Sequence, residues 1–199
     1  MPLLLLFLAS ALITAALLMR RLRRRGLHRW LVPYVRAAAV TASRTGLPII
    51  RPLCLIDPTD PRGWEIGDSY GYGPALWVAP VLEDQARERE IALPRGDWIE
   101  TWSGRLVRGG VETAVDAPLE RIPVWVRAGS IVVTYPVSQI ARGLGDAPEA
   151  ERPLEATLWG APRLGHTAAR LADGTRIAWH HGKWSVSPER EIEFGEIGL

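Results

Sequence analysis

The chain has one cysteine in 199 residues, Cys54, which excludes an internal disulfide and leaves the redox compartment unmarked. Cys54 sits inside an apolar run, where a small buried hydrophobe is expected and a reactive thiol is not. Acidic residues are missing from the first 56 positions, which carry nine arginines. Residues 57–199 carry 15 basic and 22 acidic residues, a net charge of −7. The basic pI of 9.0 is therefore a property of the head alone. A nucleic-acid-binding domain would hold its positive charge on the folded body. Here the body is acidic, so a nucleic-acid partner is not expected, and the arginines fit a membrane-proximal or helix-end position.

Basic side chains are also missing ahead of the apolar stretch Leu3–Met19, which only Ser10 and Thr14 interrupt. A secretory signal would need a positive segment before its apolar core. The A-x-A triplet Ala9-Ser10-Ala11 also comes too early for a cleavage site. Arg20, Arg21, Arg23, Arg24 and Arg25 follow the stretch at once. Seventeen helical residues rise about 26 Å, just short of the ~30 Å hydrocarbon core. Residues 1–26 are thus expected to be an apolar, arginine-flanked segment. The readings are a membrane anchor, an N-terminus created by truncation, a buried helix of a larger domain, or a cleaved signal. An anchor flanked in this way would keep the rest of the chain on the cytoplasmic side. The expected location is cytoplasmic or the cytoplasmic face of a membrane.

What is present is an ordinary apolar content, 47%, and nine tryptophans, which suit a sandwich core or sugar stacking. Leu27, Trp30, Leu31, Tyr34, Val35, Ala38 and Ala42 fall at helical spacing. Pro33 is tolerated near the front of that helix, and Gly46 followed by Pro48 stops it. Pro48–Ile56 is apolar except for Arg51 and predicts a strand buried on both faces, the pattern of a parallel barrel strand. Arg51 would point to a barrel mouth or, more simply, pair with a loop acid.

Beyond Ile56, turn signals recur every eight to twelve residues, which suggests an all-β sandwich. Strands are expected at Ile91–Leu93, Trp98–Trp102, Arg105–Val107 and Val111–Val115. Ile122–Arg127 and Ser130–Tyr135 are expected to pair around Ala128-Gly129. Val137–Arg152 reads as a linker or long loop. Five more short strands follow, with Asp173-Gly174 as a type I′ hairpin turn.

Three stretches carry a resemblance. The first is RWLVPYVRAAAVTASRTGLPIIRPL, the second LPIIRPLCLIDPTDPRGWEIGDSYGYGPALWVAPV. The third is LPRGDWIETWSGRLVRGG with VDAPLERIPVWVRAGSIV. Together they resemble glycoside hydrolase family 31, the α-glucosidases, α-xylosidases and sulfoquinovosidases. The family form is G-x-P-V-x-R-P-L-F at the last barrel strand, G-x-x-L-L-V-A-P-V opening the sandwich, and A-P-L-x-x-I-P-V-x-x-R-x-G-S-I further on. The resemblance implies a mainly β chain: C-terminal β-sandwich regions preceded by an N-terminal apolar helix and a remnant of a (β/α)8 barrel. Residues 27–56 would be the last barrel helix and strand. Residues 57–136 would form the proximal C-terminal sandwich, and 137–199 a reduced distal β domain. One strand cannot close an eight-stranded barrel, so apolar faces are expected to lack partners within this chain.

Retaining glycosidases need two carboxyl groups about 5–5.5 Å apart. The resemblance puts both ahead of residue 1, and no W-x-D-M-N-E-like motif occurs in the chain. The local carboxylates read as structural. Asp57 and Asp60 stand in a D-P-T-D-P turn, Asp68 at the barrel–sandwich junction, and neighbouring Glu83 and Asp84 would point apart on a strand. His180-His181 reads as a solvated hairpin turn and not as a metal site, and Gly71-Tyr72-Gly73 as a turn without a nucleotide fingerprint. Trp64, Trp77, Trp98, Trp102 and Trp125 could stack sugars, but packing is preferred because most lie in strand patterns. No catalytic residue, substrate contact, metal ligand or cofactor is assigned.

The function expected is the C-terminal part of an α-glycosidase that hydrolyses O-glycosyl bonds in carbohydrate metabolism, inactive alone because the catalytic carboxylates are missing. Carbohydrate would be a substrate of the complete enzyme only, and a separate chain could supply the rest of the barrel. The alternative is a non-enzymatic, membrane-anchored β-sandwich that binds carbohydrate or a protein partner.

Overall fold

A computed structural model describes residues 30–118, 121–136 and 152–198. The apolar head and most of the expected linker at 137–152 lie outside the described residues. Among the described residues no helix is long and apolar enough to cross a membrane.

Helix α1 (Val32–Thr45) forms where the helical spacing predicts it and buries Pro33, Tyr34 and Ala38. Gly46 ends it in the left-handed conformation, φ 77°, with its N–H donated to the Ala42 carbonyl. The long buried strand expected at Pro48–Ile56 does not form. Only β1 (Ile50–Arg51) is extended, and Leu53–Ile56 is a single helical turn, α2, that begins after Pro52. Pro52 has no N–H to give a ladder, and its φ of −64° suits a helix start. The turn buries Leu53 and leaves Leu55 exposed. Cys54 is half-buried.

A short 3-10 turn (Pro61–Trp64) leads to β2 (Tyr70–Tyr72), β3 (Leu76–Val78), β4 (Glu88–Ala92), β5 (Gly96–Glu100), β6 (Leu106–Gly109), β7 (Glu112–Asp116) and β8 (Val124–Arg127). One antiparallel sheet runs β1-β2-β3-β8-β5-β6, and β4 pairs with β7 apart from it. In this sheet Leu76 faces Val126 and Trp77 faces Trp125 across β3 and β8. The pleat sends them to opposite sides. Trp77, Trp98 and Trp125 pack against Ile91 of β4 and Val115 of β7. Leu76, Ile99 and Val126 pack on the other side against Tyr34 of α1, with Val132 and Trp159. Both faces of the sheet are therefore buried, which makes Val124-Trp125-Val126 apolar without a break.

The hairpin expected at Ala128-Gly129 is also absent. β9 (Ser130–Thr134) follows the glycine but pairs with β10 (Leu154–Trp159), not with β8. β8 already has β3 and β5 on its two edges, so the chain changes sheets at this corner. The corner is held by Ala128 N–H on the Asp97 carbonyl and Gly129 N–H on the Trp159 carbonyl.

β10 also pairs in parallel with β14 (Ile192–Ile197). β11 (His166–Arg170), β12 (Arg176–His180) and β13 (Lys183–Ser187) form an antiparallel meander. Ile131, Val133, Leu154, Leu158, Leu171 and Ile177 close the core between these two small sheets. Asp173-Gly174 is not the predicted type I′ turn. Leu171 N–H bonds to the Thr175 carbonyl, so the loop is longer, and only Gly174 has positive φ. The I′ pattern belongs to His181-Gly182, φ 44° and 83°, between β12 and β13.

Candidate functional site

The D-P-T-D-P loop is a set of paired charges. Asp57 caps the C-terminus of α2 and receives the Arg95 guanidinium on both carboxylate oxygens, Nε at 2.6 Å from Oδ2. Thr59 Oγ1 donates to Asp57 Oδ1 at 3.0 Å. The Arg95 hydrogen bond pulls the Asp57 carboxyl down to a pKa of about 2, against the opposing effect of desolvation. Asp60 is buried and caps the 3-10 turn, accepting from Arg62 N–H at 3.0 Å and from Arg62 Nη2 at 2.7 Å. Its hydrogen bonds to Arg62 hold its carboxyl below the ordinary range. Asp60, Arg62 and Arg95 line a cavity of about 430 Å³ with Pro61, Gly110, Val111 and Glu112.

Asp68 pairs with Arg89, which also donates to the Pro80 carbonyl and ties the junction to β4. Glu83 and Asp84 are exposed in a bend and not on a strand. Arg51 forms no ion pair with a described acid; its Nε donates to the Pro48 carbonyl at 2.8 Å. Gly71 and Tyr72 belong to β2, and the turn is displaced to Gly73 onward. Gly71 packs so closely on Ile56 that a Cβ there would stand 2.1 Å from its Cδ1.

A general acid works with a raised pKa. Asp57, Asp60 and Asp173 are all moved down. They are ion-pair and capping groups, and nothing in their geometry makes an acid–nucleophile pair.

Packing accounts for Trp77, Trp98 and Trp125, which are fully buried. Arg127 lies over the Trp98 ring, 4.7 Å from its centroid. Trp102 is partly exposed and donates Nε1 to the Ile122 carbonyl at 2.9 Å. Trp64 is the exception, 88% exposed on the 3-10 turn. Sequence reasoning did not single it out from the other four. The signal was available: Trp64 lies in P-R-G-W between turn residues, outside any alternating run.

Tyr34 is the structural link between α1 and the sheet. Its hydroxyl donates to the Tyr72 carbonyl at 2.7 Å and accepts Ala75 N–H at 2.9 Å. Burial pushes its phenol well above the ordinary range. His180 and His181 are exposed at the β12–β13 turn as expected. The structure also brings His166 beside them, 14 positions earlier in the chain, directly across from His180.

Among the described residues no group of three or more His, Cys, Asp or Glu is placed to hold a metal ion.

Residues 46–132 match the family model described as the glycosyl hydrolase family 31 C-terminal domain. A sulfoquinovosidase from Agrobacterium fabrum is 38% identical over 101 residues, covering 50% of this chain and 15% of that protein. An α-xylosidase from Saccharolobus solfataricus is 30% identical over 159 residues, covering 79% of this chain and 21% of that protein. Among solved structures, a family 31 α-xylosidase from Xanthomonas citri superposes with a TM-score of 0.66 at 30% identity. It covers 84% of this chain, which spans 19% of that structure. A family 31 dextranase from Flavobacterium johnsoniae complexed with isomaltotriose gives a TM-score of 0.65 at 30% identity, covering 76% of this chain and 20% of its own. The chain thus spans about a fifth or less of these relatives, and the family-matched segment runs from the end of α1 into β9. Residues 46–132 are therefore a C-terminal domain of the glycosyl hydrolase family 31 type.

Proposed function

We propose that the chain is the C-terminal part of a retaining α-glycosidase of carbohydrate metabolism and is inactive by itself. Its sandwich supports a catalytic barrel that comes from the rest of the enzyme, either upstream in the same polypeptide or from a partner chain. The observation that carries this reading is the apolar edge at the start of the family-matched segment. Leu47, Ile50, Leu55 and Trp64 are exposed there, within 18 residues of one another, while Leu53 between them is fully buried. A folded body that leaves four large apolar side chains on one short segment is suited to a further contact. The paired state of Asp57, Asp60 and Asp68 supports the absence of activity. The proposed location is cytoplasmic, or at the cytoplasmic face of a membrane, on the strength of the arginines after Met19.

The test is hydrolysis of p-nitrophenyl α-glucoside, α-xyloside and α-sulfoquinovoside by the purified chain, shown to be folded by circular dichroism. The expected result is no turnover, with turnover appearing once a polypeptide bearing the first seven barrel strands is supplied. Turnover by the chain alone would overturn the proposal and assign the chemistry to carboxylates within residues 57–199.

A further inference from the structure

We propose that His166 and His180 form a two-imidazole chelate for a late first-row divalent cation, Ni²⁺, Cu²⁺ or Zn²⁺, on the exposed end of the β11–β12 ladder. The register puts the two histidines directly opposite each other as the last pair of that ladder. Such pairs bring their Cβ atoms to about 4.5–5.5 Å. The rings are 6.0 Å apart between centroids, their planes inclined by 33°, and both residues are exposed.

One ring is already oriented. His166 Nδ1 lies 3.0 Å from the Leu164 carbonyl. A carbonyl only accepts, so Nδ1 carries the proton in the neutral ring and Nε2 keeps its lone pair for a ligand. A backbone carbonyl on the remote nitrogen is the usual outer support of a metal-binding histidine.

The other side of the pair is fixed by the turn. His181 N–H bonds to the Gly165 carbonyl at 2.9 Å, and the His181 ring stands edge-on to His180 with centroids 4.5 Å apart. The His181 ring rests on Gly165, where a Cβ would come within 2.4 Å of its Cε1. With the start of β11 and the β12–β13 turn held together in this way, the chelating pair needs only side-chain rotation to close on an ion about 2.0–2.1 Å from each nitrogen. Imidazole favours late first-row metals over Mg²⁺ and Ca²⁺, which take oxygen ligands. Two imidazoles carry the site and water completes the shell. Lys183 faces His180 from β13, and its ammonium opposes a bound cation.

The proposal does not depend on the glycosidase reading, and its test reads binding alone. The full chain, free of any histidine tag, is titrated with NiCl₂, ZnCl₂ and MgCl₂ by calorimetry and followed by thermal shift. Saturable one-to-one binding of Ni²⁺ and Zn²⁺ with a rising Tm is expected, and no effect of Mg²⁺. His166→Gln and His180→Gln should each weaken Ni²⁺ binding roughly tenfold or more, since losing a ligand costs at least what losing its outer support does. Lys183→Gln should strengthen it. Nitrogen splitting in the Cu²⁺ electron paramagnetic resonance spectrum should count two imidazoles, falling to one in either glutamine variant. Absence of saturable Ni²⁺ binding, or affinity unchanged in His166→Gln, overturns the proposal; unaltered circular dichroism of the variants separates loss of the site from loss of the fold.

Discussion

Removing a single oxygen from Tyr34 tests how α1 is fixed to the sheet. Tyr34→Phe keeps the ring in its place, so no cavity opens between Leu76, Val126 and the helix. What disappears is one hydroxyl that serves two backbone groups, the Tyr72 carbonyl at 2.7 Å and Ala75 N–H at 2.9 Å. Ala75 is buried, so its N–H is left without a partner and without water. An orphaned buried donor costs about 1–3 kcal/mol. The Tyr72 carbonyl is only partly buried and recovers part of its loss from solvent. The expected total is about 2–3 kcal/mol, a large share of a domain stability of roughly 5–15 kcal/mol. In urea, with a slope of about 1–3 kcal/mol/M, the midpoint should fall by roughly 1 M. Tryptophan fluorescence reports the transition because Trp77, Trp98 and Trp125 sit in the sheet to which Tyr34 is tied. A loss below about 0.5 kcal/mol with unchanged slope, the range of an ordinary surface change, would refute the claim that the hydroxyl bridges helix and sheet.

Trp98→Ala should cost about 3–5 kcal/mol, because the ring is 1% exposed among Trp77, Trp125 and Leu93. Trp64→Ala should stay within about 0.5 kcal/mol of the parent, since its ring is solvated; equal losses in the two variants, read from urea midpoints, would contradict the assignment of core and surface. Acid should weaken the chain through the D-P-T-D-P loop. The folded pKa of Asp57, about 2, lies below its ordinary value of 3.8, so its pairing with Arg95 stabilises above about pH 4 and is lost as pH falls toward 2. Asp60 shifts in the same direction through Arg62. Urea midpoints of the parent and Asp57→Asn, measured from about pH 2 to 6, should converge at the acid end; a constant gap across that range would remove Asp57 from the account.

Helix α1 was legible because two independent signals agreed, the spacing of Leu31, Tyr34, Val35 and Ala38, and the Gly46-x-Pro48 stop. The distal meander was legible from short apolar alternations between glycine turns. The errors share a cause: each local pattern had a neighbour the sequence could not show. Pro48–Ile56 reads as one apolar run, yet Pro52 ends β1 and starts a helical turn. Val124–Arg127 and Ser130–Thr134, separated by Ala128-Gly129, read as a hairpin. Only the occupancy of both edges of β8 by β3 and β5 rules that out. Asp173-Gly174 is the better I′ dipeptide by composition, but the ladder between β12 and β13 puts that turn at His181-Gly182. The same limitation hid His166 from its partner, because the β11–β12 register depends on the five-residue loop 171–175, whose length no dipeptide rule fixes.

The division within residues 47–64 also bears on how the chain would join a larger enzyme. Leu53 packs into the tryptophan core, so this segment is an integral part of the sandwich. Leu47, Ile50, Leu55 and Trp64 contribute little to that core, because their side chains stand partly or fully in solvent. Among the described residues β1 has β2 on one edge only, so its outer edge also offers backbone groups that no described strand pairs. On the proposed reading, a barrel would take up both the apolar side chains and that edge, without rearranging the tryptophan core. The body would then fold before or without the barrel, held by Trp77, Trp98 and Trp125, and the junction would be decided by a second, separate set of residues. Changes such as Trp98→Ala should therefore act on stability, and changes such as Trp64→Ala on assembly, each with little effect on the other.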